Sequence, residues 1–397
     1  MRWHEIPREA KAYMLYHTLI SPQLIVWYLL PLYMLRTGYS VLDVGALFTA
    51  ANLAFVPLTY LIGRLFNRYP LKVGLILIDV LDGVAYVLYG LAQGALAPLA
   101  LFWGRLLEKL SGLLYPLYQA YEQIIYPEDR YEEIYAWHLR LPEISQLVSF
   151  LVLGYLFGYV WNMPQHYRLA FLAFGLFSVV SVAYLWVFLP PVNKTERITP
   201  EGWTFPSPRA YGFLLLIEGL YTAAWALAPD FVLLYYVVVH LKKTLFEVMV
   251  IEAGMSVMTV LATYVSERVS KDRGIYVISV GLLLETVNVG VMSLAPSLAW
   301  ALAAYALGRF GNALAFPFYR AWLFGFIPRE RASEFHAALS SYNRAIGLAA
   351  PLLAGGLAYL HPALPYRISL LFLLTTSVLF AWQARRAAGA PWGLWKS

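Results

Sequence analysis

The sequence predicts an all-α integral membrane protein with twelve transmembrane helices in two pseudo-symmetric six-helix bundles. Three observations predict this fold class: the composition, the apolar runs and a repeat between the two halves. The 397 residues are 60% hydrophobic and 13% charged, with a mean hydropathy of +0.61, whereas soluble domains are roughly 45–50% apolar and about 25% charged. At about 20 residues per spanning helix, the chain accommodates about a dozen helices joined by short loops.

Apolar runs of spanning length set the predicted helix boundaries. In the first half they lie near residues 12–34, 42–63, 73–93, 97–121, 137–160 and 167–189. In the second half they lie near residues 211–239, 246–266, 274–294, 296–322, 336–359 and 366–384. The predicted domains are an N-terminal bundle at 1–189, a polar, Pro-rich cytoplasmic linker at 190–209 and a C-terminal bundle at 210–397.

The distribution of Lys and Arg predicts the orientation, because basic residues collect on the cytoplasmic side of a membrane. With both termini inside, 18 of the 29 basic residues fall in cytoplasmic segments and 5 in outer loops. We therefore expect a multi-pass protein of the cell (plasma) membrane with both termini cytoplasmic. This bias explains the net charge of +6 without a nucleic-acid partner.

Landmarks recur between the halves at a nearly constant offset of 200 to 204 residues. Ser40 with Asp43, and Thr244 with Glu247, both have the spacing of a capping box, in which the hydroxyl accepts a free N–H at a helix start. They precede the second and eighth predicted helices. Chance would not keep one spacing through six helices, so the sequence predicts an internal duplication.

The loop between the second and third helices, GRLFNRYPLK at 63–72, resembles the loop signature of the major facilitator superfamily. It departs from that signature at Pro70 and Leu71, and TYVSERVSKDR at 263–273 is its counterpart in the second half. In the family this loop latches the two halves on the cytoplasmic side; the alternative is an ordinary basic loop. The resemblance assigns a gating loop to Gly63, Asn67, Arg68, Lys72, Glu267 and Arg268.

Two further strings bear on the branch of the family. Arg105 with Gly112 in the fourth helix resembles the family's second signature. GLAAPLLAGG at 347–356 resembles its antiporter signature, although it lies in the eleventh helix and not in the fifth. The resemblance implies the major facilitator fold and, more loosely, the drug/proton antiporter branch.

Polar residues within the predicted spans form stripes along helix faces. An ionisable group in hydrocarbon costs about 2.5–3.5 kcal/mol on insertion scales, so such groups normally face the bundle interior. On the fourth helix Arg105, Glu108 and Tyr115 keep one face, and in the resembled family the first, fourth, seventh and tenth helices line a central cavity. The predicted substrate and proton cavity consists of Arg105, Glu108, Glu218, Arg309, Asn312, His17, Asn52, Glu252, Tyr28, Tyr115, Trp225 and Tyr319.

Two carboxyl groups are the preferred proton carriers. Arg105 lies one turn before Glu108 and would hold it ionised, so Glu218, which has no basic neighbour in sequence, is preferred. Static salt bridges between helices are the alternative for both. Scaffold roles are predicted for the polar residues of the third and ninth helices, which are peripheral in the family: Asp79, Asp82, Glu285 and Asn288.

The predicted function is a secondary active transporter that moves a small amphiphilic molecule by alternating access, with proton-coupled export preferred. Acidic groups suit a cationic or neutral cargo. Arg105 and Arg309 would suit an anion, so uptake or exchange of an organic anion or sugar is the alternative. The expected partners are the substrate, protons and the lipid bilayer, and a monomer is expected.

Other classes of protein are disfavoured. A membrane-embedded enzyme acting on lipid would need a nucleophile, a metal cluster or a phosphate-binding loop. The chain has no cysteine, and its seven histidines show no metal-ligand spacing, so no enzyme activity, cofactor, catalytic residue or metal site is expected. A non-transporting receptor would be expected to carry a soluble output domain.

Overall fold

A computed structural model gives the structure of the chain. It describes residues 3–66, 70–127, 131–191, 208–266, 268–270, 273–324 and 332–387. Some side chains in these ranges, among them those of 56–66 and 332–338, lie outside the description. Every regular segment of the described residues is helical.

The N-terminal unit covers Met1–Thr199. Its α-helices are α1 Arg8–Ile20, α2 Val26–Arg36, α3 Val41–Phe66, α4 Leu71–Leu91, α5 Ala97–Leu113, α6 Pro116–Ile125, α7 Tyr131–Tyr155 and α8 Pro164–Phe188. A 3-10 segment, Ser21–Ile25, joins α1 to α2, and α7 continues as the π-helix Leu156–Val160.

The C-terminal unit covers Pro200–Ser397. Its α-helices are α9 Pro208–Leu227, α10 Asp230–Tyr235, α11 Leu245–Ser266, α12 Gly274–Met292, α13 Leu298–Phe324, α14 Ala332–Gly347, α15 Ala350–Leu360 and α16 Leu364–Ala387. The π-helix Tyr236–His240 follows α10. Residues 192–207 of the predicted linker lie outside the described residues, so the predicted domain bounds stay a prediction.

The twelve predicted spans correspond to these helices within a few residues, so the all-α membrane fold class is confirmed. Four spans are split into two α-helices, and a proline lies at each break: Pro22, Pro116, Pro229 and Pro351. Proline lacks the N–H that continues a helix but fits its first turn, which explains the breaks. Among the described residues, 7 helical segments are long and apolar enough to cross a membrane.

The two units repeat one packing pattern. In the N-terminal unit, α4 contacts α5 and α8, α3 contacts α5, and α1 contacts α7. In the C-terminal unit, α12 contacts α13 and α16, α11 contacts α13, and α9 contacts α14. These pairs correspond helix for helix, which is the arrangement that an internal duplication produces.

Local sequence signals explain how individual helices begin and pack. Ser40 N–H donates to Asp43 Oδ2 at 2.7 Å, and Asp43 N–H donates back to Ser40 Oγ at 3.2 Å. Thr244 N–H donates to Glu247 Oε2 at 2.8 Å, while the threonine hydroxyl accepts from Phe246 N–H at 3.2 Å. Both predicted capping boxes are therefore confirmed, and each satisfies backbone donors that the helix leaves free.

Close approach of α12 and α13 depends on glycine. A Cβ atom added to Gly281 would lie 2.4 Å from Ala315 Cβ and 2.6 Å from the carbonyl oxygen of Gly311. No side chain fits such a gap, so the two helix backbones pack directly against each other. Small residues have this role in many membrane helix pairs.

Candidate functional site

A buried ion pair occupies α5 in the N-terminal unit. Arg105 Nη1 lies 2.7 Å from Glu108 Oε1, and the two side chains are 14% and 7% exposed. Tyr89 of α4 donates its hydroxyl to Glu108 Oε2 at 2.6 Å, and the guanidinium lies 4.0 Å from the centre of the Phe48 ring. Both carboxylate oxygens thus have partners, as the salt-bridge alternative for this pair requires.

Two more carboxyl groups lie on α4, the third span, which packs against α5. Asp79 is buried and accepts the hydroxyl of Tyr16 at 2.7 Å. Asp82 Oδ1 is buried and has no hydrogen-bond partner among the described residues. The helix that the sequence treats as scaffold therefore adds carboxyl groups to the polar interior of this unit.

A histidine cluster lies where α1, α6 and α7 meet. The His17 ring centre is 4.6 Å from that of Tyr13, 4.8 Å from that of Tyr118 and 4.8 Å from that of His138. Glu122 accepts the Tyr13 hydroxyl at 3.0 Å, and its Oε1 lies 3.8 Å from His138 Nδ1. His17 is a predicted cavity residue, whereas its neighbours Glu122 and His138 carry no predicted site role.

Glu285 is the centre of a polar network in the C-terminal unit. It lies on α12 with 1% exposure. It accepts Trp225 Nε1–H at 3.0 Å, the Tyr221 hydroxyl at 3.2 Å and Asn312 Nδ2–H at 3.1 Å. Two predicted cavity residues, Trp225 and Asn312, therefore converge on a carboxyl group for which the sequence predicts a scaffold role.

Glu218 forms a second, smaller network in the same unit. Its side chain on α9 is buried. It accepts the hydroxyl of Tyr319 on α13, and Asn343 Nδ2 of α14 donates to its second oxygen at 3.1 Å. Among the described residues, no Lys or Arg side chain lies within 4.0 Å of Glu218 or Glu285. Both carboxyl groups are held by neutral donors.

The N-terminal and C-terminal units share a motif between their first and third spans. Tyr16 of α1 donates to Asp79 of α4, and Tyr221 of α9 donates to Glu285 of α12. A tyrosine hydroxyl thus meets a buried carboxyl group in each unit. An ionisable residue inside a predicted span is the sequence signal that could have identified Asp79 and Glu285 as candidate site residues, whichever helix carries them.

The other predicted polar cavity residues have fewer contacts. Arg309 is exposed within its unit and donates its Nε–H to Thr259 Oγ1 at 3.0 Å. Asn52 on α3 and Glu252 on α11 are partly buried. In the described part of the C-terminal unit, Arg309 makes no hydrogen bond to Glu218 or Glu285, although its charge acts on Glu285 electrostatically.

The remaining aromatic residues of the predicted cavity divide by burial. Tyr28 is buried, and its ring centre lies 6.2 Å from that of Phe150 in the edge geometry typical of core packing. Tyr115 is 38% exposed and packs against Tyr118. Tyr115 therefore has a free surface, whereas Tyr28 is a packing residue of its unit.

The predicted gating loop is described only in part. Asn67, Arg68 and Glu267 lie outside the described residues, Gly63 lies within α3, and Arg268 is exposed. Lys72 donates its Nζ to the carbonyl oxygens of Trp186 at 2.8 Å and Leu189 at 2.5 Å. These carbonyls belong to the C-terminal end of α8, where a cation is favourable.

The N-terminal unit also contains a cavity of about 580 Å³. Its lining includes Tyr33 of α2, Tyr39 of the turn after α2, Asp43 of α3 and Arg168 of α8. None of the predicted cavity residues lines it. This cavity is therefore separate from the polar networks.

Comparison with known proteins defines the family. The model of the Major Facilitator Superfamily matches residues 14–351. A search of curated proteins finds no match. The chain is similar to a bacterial metal transporter at 14% identity and a TM-score of 0.73, with 96% of this chain and 99% of the other covered.

Two further solved structures share the fold. A bacterial homologue of the iron transporter ferroportin, in an inward-facing state, has 15% identity, a TM-score of 0.73 and coverage of 94% and 98%. The nucleoside transporter NupG has 13% identity, a TM-score of 0.65 and coverage of 95% and 98%. At these identities the likeness concerns the fold. Because the family model spans most of its length, this multi-pass membrane protein belongs to the major facilitator superfamily of transporters.

Proposed function

We propose that the chain is a proton-coupled secondary transporter in which Glu285, together with Glu218, binds and releases the proton. The observation that carries this proposal is the environment of Glu285. It is 1% exposed, and its hydrogen bonds come from Trp225, Tyr221 and Asn312, all of them neutral. Burial opposes the negative charge and the donors stabilise it, which is the balance that a reversible proton-binding group needs.

Glu218 meets the same requirement with two donors, Tyr319 and Asn343. Because α9 and α13 carry Glu218 and its partner Tyr319, loss of the negative charge would weaken a contact between two spans. A change of protonation would thus alter helix packing, as an alternating-access cycle requires. Glu218 keeps the role that the sequence predicts, and Glu285 joins it.

Glu108 is excluded from the proton-carrying role in this proposal. Its charge is neutralised by Arg105 at 2.7 Å, so adding a proton to Glu108 would leave the buried charge of Arg105 without a partner. The same pairing removes Arg105 as a free cation for an anionic cargo. The alternative of organic anion or sugar transport therefore depends on Arg309 alone, and a cationic or neutral cargo is the better supported class.

The proposal includes export of that cargo in exchange for protons. This part rests on the resemblance of Arg105 with Gly112, and of GLAAPLLAGG at 347–356, to family signatures. The similar solved structures carry cargoes as different as metals and nucleosides. The cargo class is therefore inferred from this chain's own side chains.

The proposal is tested with purified protein in liposomes that contain a pH-sensitive dye. A ligand that raises the unfolding temperature in a small-molecule screen serves as the cargo. With the wild-type chain, adding the cargo across an imposed pH gradient should move protons. Glu285→Gln and Glu218→Gln should abolish this movement but retain cargo exchange between equal pH values, because glutamine keeps the size and cannot release a proton.

Glu9→Gln is the matched control, since Glu9 is exposed at the start of α1. It should leave both cargo exchange and proton movement at the wild-type rate. Full proton coupling in both Glu285→Gln and Glu218→Gln would refute the proposed proton carriers. If the wild-type chain exchanges only anions, and Arg309→Met loses that exchange, the results would favour the alternative of organic anion transport.

A further inference from the structure

Three side chains that are typical metal ligands lie together inside the N-terminal unit. They are His17 of α1, Glu122 of α6 and His138 of α7, and one ligand atom from each lies within 4.8 Å of the others. Glu122 and His138 are 9% and 11% exposed. Three separate helices supply the ligands, so only the folded chain brings them together.

Two features of this cluster point to a cation. His17 Nε2 is buried and has no hydrogen-bond partner among the described residues; a buried polar atom without a partner is unfavourable and rare in proteins. Glu122 is a buried carboxylate with no described Lys or Arg within 4.0 Å. From this geometry we propose that His17, Glu122 and His138 form a binding site for a divalent transition-metal ion.

The donor set decides the class of ion. Two imidazole nitrogens and one carboxylate oxygen suit Zn²⁺, Fe²⁺, Mn²⁺ or Co²⁺, whereas Mg²⁺ and Ca²⁺ prefer sites made only of oxygen. Three protein ligands leave at least one coordination position open, unlike the four ligands of a closed structural zinc site. The site therefore suits an exchangeable ion.

Neighbouring hydroxyl groups contact two of the three ligands. Tyr13 donates to Glu122 Oε1 at 3.0 Å, and this oxygen keeps a second lone pair for an ion. The Tyr126 hydroxyl lies 2.6 Å from His138 Nδ1, so His138 binds an ion through Nδ1 once this hydroxyl turns away. Metal-binding carboxylates are usually hydrogen-bonded to such outer partners, and Tyr13 has this role for Glu122. Here both hydroxyl groups belong to buried tyrosines.

The spacing requires only a small closure. Ligand atoms about 2.1 Å from a tetrahedral metal ion lie roughly 3.4 Å apart. His138 Nδ1 and Glu122 Oε1 are already 3.8 Å apart. The widest separation in the cluster is at most 4.8 Å, so closure by up to about 1.4 Å brings all three atoms to bonding positions. Rotation of the His17 ring supplies part of this closure, because its Nε2 has no competing hydrogen bond among the described residues.

The test uses the purified full-length chain in detergent, with Zn²⁺ measured by chelator competition and Co²⁺ by its ligand-field absorption. The wild-type chain should bind one ion tightly, with no competition from Mg²⁺. His17→Gln, Glu122→Gln and His138→Gln should each weaken Zn²⁺ binding by at least about a hundredfold, because each removes one ligand of three. Zn²⁺ should raise the unfolding temperature of the wild type but not of these variants.

The matched control is the double variant His240→Ala/His361→Ala. This histidine pair of the C-terminal unit has ring centres 6.3 Å apart. The control should keep wild-type affinity. Equal tight binding in the wild type and in all three glutamine variants would overturn the proposal, as would loss of tight binding in the His240/His361 control or no saturable binding at all.

Metal binding and proton coupling are tested separately. Glu285→Gln lies in the other unit, so it should bind Zn²⁺ with wild-type affinity even where it no longer moves protons. A failure of the metal site would then appear in the binding titration while coupling stays intact.

Discussion

Removing one member of the Arg105–Glu108 pair should destabilise the N-terminal unit by about 3–4 kcal/mol. At a separation of 2.7 Å, two unit charges attract with about 6 kcal/mol at an effective dielectric constant of about 20. Desolvation offsets part of this attraction, and breaking a buried pair on one side typically costs about 3–5 kcal/mol. In Glu108→Gln the amide still accepts from Tyr89, but Arg105 loses its counter-charge.

The Phe48 ring limits the loss. It lies 4.0 Å from the guanidinium, and such a cation–π contact is worth about 1 kcal/mol or somewhat more when buried. We therefore place Glu108→Gln at the lower end of the range. The double variant Arg105→Met/Glu108→Gln removes both charges and should recover most of the stability, with a coupling energy of about 2–3 kcal/mol.

The assay is equilibrium unfolding in mixed detergent micelles, followed by circular dichroism of the helices. Arg309→Met is the control, since Arg309 is exposed in its unit and bonded to a neutral hydroxyl; it should change stability by less than about 1 kcal/mol. A double variant less stable than Glu108→Gln would refute the assignment of a static pair. So would a Glu108→Gln variant within about 0.5 kcal/mol of the wild type.

Two further predictions concern packing and orientation. Gly281→Ala should destabilise the C-terminal unit by about 1–3 kcal/mol, because its Cβ would lie 2.4 Å from Ala315 Cβ and 2.6 Å from a carbonyl oxygen of α13; Gly212→Ala, with nothing within 4 Å, should not. Equal unfolding temperatures for these two variants would contradict the close helix contact. Because the chain has no native cysteine, single variants Gln93→Cys and Ser270→Cys report orientation through an impermeant maleimide. We expect Gln93→Cys to react in intact cells and Ser270→Cys only after permeabilisation; the reverse pattern would overturn cytoplasmic termini.

The sequence identified individual residues of the candidate site but not how they are grouped. It indicated Trp225 and Asn312 through polar spacing on the seventh and tenth helices. It assigned Glu285 to the scaffold, because the family resemblance treats the ninth helix as peripheral. Glu285 and Trp225 are 60 residues apart in the chain, and no local pattern reports such a contact. His17 and His138 are also far apart in the chain, so no short sequence motif of metal ligands contains both of them.

What the sequence determines is what lipid imposes on each segment separately. Every backbone group must be satisfied inside the bilayer, so apolar runs become helices of fixed length, and prolines and capping boxes set their ends. The tertiary structure alone decides which faces meet. In lipid a helix can be apolar all round, so the spacing of its apolar residues does not mark the face that packs against other helices. The pairing of Arg105 with Glu108 is local to α5, whereas the rotation and crossing of the helices determine which neutral donors hold Glu285 and Glu218.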